Sequence, residues 1–470
     1  MALNTERGKV AHLLRRAGFG ASLSEIDYHA KQGLDATLEQ LLNYGQVEEV
    51  EQIDVFQLTN NKGNLPAPIV SAWWLYRMMT TRRPLQAKLA LFWHDHFGCS
   101  AEKVQNGYLM VQHINLLNEL ASSDFRNILV SVAQDPTMLR FLDNNTNVKG
   151  KPNENFAREL MELFTMGIGN YTEKDVQEAA RAFTGWTFQR PNRIQAAVKN
   201  AVEPQFIFRQ GQHDAEIKTV LGVSGNLNGD DVIDILLDQP VTSRYIAGKL
   251  WSWFVYEDPE EHVVDRIAAV FRDNNYSVKV LLRHMFTSEE FYSTKAERAL
   301  YKSPADFTVG ISRAVDLPGI LDLVSIFQES DKEKRRLLRG AVGGVMGSMS
   351  NMGQQLLYPP TVAGWDGGAA WVNSATMLER IKFADMMFEK KNGAINWNYL
   401  VGNRRFESVG EVVDRLCEVF DAGLPAEKRQ IVASHVEGLL DRTRGEEKYR
   451  QEMLHQACRL IFGSPEFQFC

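Results

Sequence analysis

Three glutamates, an arginine and two asparagines crowd into the stretch KPNENFARELMELFTMG, Lys151 to Gly167. On a helix of 3.6 residues per turn, Glu154, Arg158 and Glu162 share one stripe, with Asn155 and Glu159 beside it. Phe156, Leu160, Leu163 and Phe164 fall on the other side. Carboxylates grouped in this way do one of two kinds of chemistry. In unequal surroundings a pair acts as general acid and base, Arg158 lowering the pKa of one partner while burial raises that of the other. Joined by an imidazole, Glu159 or Glu162 makes an N/O site for a divalent metal ion, zinc, iron or manganese. The imidazoles at hand are His94 and His96 in LFWHDHF. An H-x-H pair on a regular helix is splayed by roughly 200°, so both rings meet one metal only if the helix unwinds in the following FGCSAEKV. The plainer alternatives are a solvated helix face, its Glu154–Arg158 pair contributing tenths of a kcal/mol, and hydrogen-bonded core histidines.

Other groups stand near these. The lead-in FLDNNTNVKGKPNEN brings Asn144 and Asn145 as fixed donors and acceptors. In QHDAEIK, His213 and Asp214 would orient one another for base chemistry, although a turn with a capping Asp explains them equally well. GWDGGAAW sets Trp365 next to Asp366, a combination suited to sugar stacking as well as to loop packing. Arg15 and Arg16 would bind an anion or tie the N-terminal helix to an acidic neighbour, the second being preferred. GNLNGDDVID lacks the last glutamate of a calcium loop and reads as a helix start capped by Asp230. There is no P-loop, no G-x-G-x-x-G after a strand, no G-x-S-x-G and no H-E-x-x-H.

The elements that must position these groups are mostly helices. Apolar residues recur at three- and four-residue spacing, as in Leu85, Leu89, Phe92 and Trp93, and Pro84, Asp135-Pro136, Asn153, Thr172 and Ser243 sit where helices start. The expected fold class is mainly α: one large helical domain over residues 1–470, with a small β-hairpin inserted near 186–222 and a Gly/Trp loop near 358–374. The 470 residues, 44% hydrophobic and 24% charged, provide ample core. A net charge of −7 makes nucleic acid an unexpected partner. Cys99, Cys417, Cys458 and Cys470 form no C-x-x-C pair and read as bystanders. No apolar run reaches the roughly 18 residues of a membrane span, and MALNTERGKV lacks the apolar core of a signal peptide. The chain as written is expected to be cytoplasmic, or periplasmic or exported if a leader was removed.

HLLRRAGFGAS at His12, LFWHDHF at Leu91, LDNNTNVKGKPNENFARELMELFTMG at Leu142, AARAFTGW at Ala179, QHDAEIKTVLG at Gln212, KLWSWFV at Lys249 and YPPTVAGWDGGAAWVNSATMLER at Tyr358 together resemble the bacterial family catalogued as domain of unknown function 1800. The resemblance implies a predominantly helical, soluble or exported protein. It also implies a sulfatase-like protein partner and sulfated or polysaccharide substrates. Asn144, Asn145, Asn155, Arg181, Trp186, Trp365 and Asp366 lie in the matching segments and are expected to bind substrate. The expected function is hydrolysis or elimination on a glycan-like or anionic substrate. Glu154, Arg158, Glu159 and His213 are its expected catalytic groups, and His94, His96, Glu159 and Glu162 its expected metal ligands. The alternative is a non-catalytic helical scaffold in which the Glu/Arg helix is an internal polar network.

Overall fold

The structure is a computed structural model. It describes residues 3–50, 53–59, 64–189, 204–320, 331–389, 400–402, 406, 408–440 and 445–470.

The described chain is 66% helical, and its helices begin where short polar side chains satisfy free backbone donors. Ser22 with Glu25, Thr172 with Asp175 and Ser303 with Asp306 form reciprocal capping boxes. Asp135 caps Pro136–Phe141 by accepting the N–H of Thr137 at 3.1 Å. Two expected starts shift. The helix containing Ser243 begins earlier, at Pro240, because a proline at the first position wastes no donor. Asn228 rather than Asp230 caps Gly229–Asp238, taking the N–H groups of both Asp230 and Asp231.

Pro84–His96 is apolar nearly all round, and such a helix can only lie inside. Leu85, Leu89, Leu91, Phe92 and Trp93 are all buried. Buried apolar residues from Val10 to Phe467 join this helix in one cluster.

The small β insertion expected between the helices is present as two small antiparallel sheets. Trp186–Gln189 pairs with Gln205–Phe208, Trp186 opposite Phe208, and Lys218–Val220 pairs with Val223–Gly225. Arg190 and Pro191, read as part of the first strand segment, lie outside the described residues.

The Gly/Trp loop is pressed against the end of Pro84–His96. A Cβ on Gly98 would stand 2.0 Å from the carbonyl oxygen of Val362, and Gly98 itself has φ +42°. Only glycine permits that approach. The loop then forms a short 3-10 turn, Gly368–Trp371, before Asn373 caps Ser374–Phe388. All four cysteines are free and buried. Among the described residues no helix is long and apolar enough to cross a membrane.

Candidate active site

Pro84–His96 stays helical through His96, so its last three polar side chains diverge. His94 is fully buried among the rings of Trp74 at 5.0 Å, His113 at 5.9 Å and Trp365 at 5.9 Å, and neither of its ring nitrogens has a partner. His96 contacts Phe164 by a 3.2 Å hydrogen bond between its Nε2 and the backbone oxygen. Burial drives both imidazoles well below their ordinary pKa. Asp95 takes the remaining direction. Its Oδ1 accepts the backbone N–H of Trp365 at 2.8 Å, and Gly364 leaves the space for it, since a Cβ there would lie 2.4 Å from both Asp95 oxygens, backbone and Oδ1. Burial pushes the Asp95 carboxyl up to about 6, opposed by the Trp365 N–H and the charge of Lys249.

Lys249 comes from Pro240–Phe254, one turn after Tyr245 on the same face. Its Nζ lies 5.5 Å from the centre of the Tyr245 ring, whose hydroxyl donates to the backbone oxygen of Leu163 at 3.1 Å. Burial lowers the pKa of the Lys249 amine, and Asp95 partly restores it. Tyr245 therefore leads from Asp95 and Lys249 to the glutamates.

There the helix changes its winding. Asn155–Glu159 is α-helical, but Leu160–Thr165 is a π-helix, with the N–H of Met166 bonding five residues back to Met161 at 3.0 Å. Glu162, within this wider turn, accepts a hydrogen bond from the Tyr171 hydroxyl and lies close enough to Tyr245 to raise that hydroxyl further beyond the effect of burial. Half-buried Glu159 has its pKa raised by burial and then by Glu162. Asp95, Lys249, Tyr245, Glu162, Tyr171 and Glu159 thus form a run of coupled titratable groups. Groups whose surroundings push acids up and amines down are suited to transferring protons near neutrality.

The other sequence candidates sit elsewhere or are already engaged. Arg158 makes two bonds to Glu173, at 2.7 and 2.8 Å, and one to Glu154 at 3.1 Å, on an open surface. Asn155 is exposed. Arg181 is held by Asp214 at 2.8 Å and by Glu178 at 2.7 Å. The His213 ring meets the Thr184 carbonyl at 3.0 Å, and Asp214 accepts the N–H of Glu216, which is the turn reading of that pair. Asn144 is buried and accepts from Asn147, whose other bonds tie Ala180 and Asn153, while the Asn145 carbonyl takes the Thr187 hydroxyl. Trp186 and Trp365 are 3% and 8% exposed, their rings packed on Phe183 and Phe206 and on His94, so neither offers an open face to a sugar. Asp366 is exposed. The four residues read as a metal set do not converge: the helix does not unwind at His96, which meets the Phe164 carbonyl, His94 is enclosed by aromatic rings, and Glu162 bonds to Tyr171. Among the described residues no group of three or more His, Cys, Asp or Glu is arranged to hold a metal ion.

Asp95, Lys249 and Tyr245 were missed, and so was the buried pair of His113 Nδ1 with Asp135 at 2.6 Å. Asp95 stands between the two histidines that drew the reading, and Lys249 opens KLWSWFV. A lysine at the head of so apolar a segment was the available signal.

A family model described as "Protein of unknown function (DUF1800)" matches residues 12–469. No curated protein and no solved structure gives a significant match.

Proposed function

The chain belongs to the DUF1800 family, and from the geometry of its own groups we propose that it is an enzyme of the acid–base type, acting by hydrolysis or elimination on an anionic, glycan-like substrate. The observation that carries this reading is the fixed Asp95 carboxyl, bonded to the Trp365 amide at 2.8 Å, with the Lys249 amine of a separate helix near enough to act on its charge. In this reading Asp95 transfers the proton, Lys249 holds the negative group of the substrate, and Glu159 is the second carboxyl. An amine facing a substrate carboxylate also favours removal of the neighbouring carbon-bound proton, the first half of an elimination.

The test is a panel of polyuronates and sulfated polysaccharides. New reducing ends report hydrolysis, and the ultraviolet absorbance of a new double bond reports elimination. Turnover by the wild type should fall at least about a hundredfold in Asp95→Asn and in Lys249→Met with the fold intact. Absence of any turnover across the panel counts against the reading.

A second reading, a non-catalytic scaffold or partner of a sulfatase-like protein, is favoured by the closed Glu154–Arg158–Glu173 network, which leaves that arginine engaged on both sides. A large stability loss in Arg158→Gln would support that reading, whereas unchanged or increased stability in Glu159→Gln supports a site held at some cost.

A further inference from the structure

A small pocket of about 50 Å³ opens beside the end of the Glu6–Ala17 helix, with Arg15, Lys302, Asp306 and Asp421 in its wall between Phe19 and Phe467. Its cations exceed what the protein pairs. Arg15 is 8% exposed; it bonds to Asp421 and to His12 Nδ1, and its Nε has no partner. Behind it Arg16 donates once, to the Ala296 carbonyl, leaving Nε and Nη1 without partners. Arg298 donates to the backbone and side chain of Asp421 at 2.8 and 2.9 Å and leaves Nη1 over. Lys302, also 8% exposed, rests its Nζ over the Phe467 ring at 3.6 Å. Lys88 already answers Asp306.

Five side-chain cations, Arg15 and Lys302 in the wall with Arg16, Arg298 and Lys88 about it, therefore stand against three side-chain carboxylates, Asp306 and Asp421 in the wall and Glu297 acting on Arg298. Cys470 stands in the same wall. Buried cations without partners are costly, and guanidinium groups are best satisfied by the paired oxygens of an oxyanion. We propose that this pocket binds a phosphate- or sulfate-type oxyanion, free or borne on an organic ligand whose apolar part packs on Phe19 and Phe467. Burial, with Arg298 close by, pushes the Lys302 amine down to about 7, the cost an arriving anion would relieve. This site is independent of the Asp95 site.

Thermal unfolding in inorganic phosphate, in phenyl phosphate and in sodium chloride at matched ionic strength tests it. Phosphate should raise the midpoint by several degrees beyond chloride, because a ligand that binds only the native state stabilises it. A larger rise with phenyl phosphate identifies an ester as the preferred form, and an equal rise identifies the free anion. Lys302→Met should abolish the phosphate-specific rise without lowering the basal midpoint. No rise beyond chloride in the wild type, or the same rise in the variant, overturns the proposal. Should Lys302→Met not fold, Arg15→Lys keeps the charge and removes the fork. Calorimetric titration with phosphate should then show binding weakened about tenfold or more, the loss of one charge-assisted hydrogen bond, and unchanged affinity overturns the proposal.

Discussion

Asp95 accepts the backbone N–H of Trp365 at 2.8 Å, fastening the end of the histidine helix to the Gly/Trp loop. One side chain thus holds the loop in place and supplies the proposed acid. The two roles separate by substitution. Asp95→Asn keeps an acceptor for the amide and should cost about 1 kcal/mol or less. Asp95→Ala leaves a buried N–H unpaired and should cost about 1–3 kcal/mol. Urea unfolding midpoints compare the two, and both variants should lose turnover. Equal stabilities would show that the bond does not fasten the loop.

Gly364 tests the same joint from the other side. It has φ +89°, and a Cβ would lie 2.4 Å from the backbone and Oδ1 oxygens of Asp95. Gly364→Ala combines backbone strain of about 1–3 kcal/mol with displacement of the carboxyl. Activity should fall with stability, even though no charged group has changed, and a fully active variant would remove Asp95 from the mechanism.

Lys249 and Arg158 should behave oppositely. Arg158 is a surface cation closed off by Glu154 and Glu173, so Arg158→Gln should change stability by about 1 kcal/mol or less and leave turnover nearly intact. Lys249→Met removes a largely buried cation from beside Asp95, so turnover should collapse while the urea midpoint holds or rises. The reverse pattern would return the site to the glutamate–arginine helix.

The helical class, the core positions Phe156, Leu160 and Phe164, and most helix starts follow from periodicity and capping chemistry, which are local and therefore written in the chain. The divergence of His94 and His96 also follows, from 100° per residue alone. What periodicity does not contain is the π-turn at Leu160–Thr165, because a change in winding depends on what packs against the helix. Arg158 and Arg181 read as functional cations because their pairing partners, Glu173 and Asp214, are 15 and 33 positions away and become visible only in the fold. Asp95 reads as filler between histidines until Trp365 arrives from the far end of the chain.

The last expectation concerns pH. The Lys302 amine has a pKa of about 7 in the folded protein, against about 10.4 for lysine in an unfolded chain. Below pH 7 both states hold the proton, and the full cost of burying the cation is present. Between about pH 7 and pH 10 the unfolded chain holds one more proton than the folded one, so this group makes stability rise with pH. The slope it contributes is at most about 1.4 kcal/mol per pH unit. Lys302→Met lacks the group. The stability of the wild type relative to Lys302→Met should therefore climb from about pH 7 to pH 9 when urea unfolding is measured in chloride. Phosphate should flatten that climb, because an anion bound beside Lys302 keeps the amine protonated and moves its folded pKa back toward the unfolded value. Parallel pH profiles in chloride would mean that Lys302 titrates normally and is not a buried cation awaiting a partner.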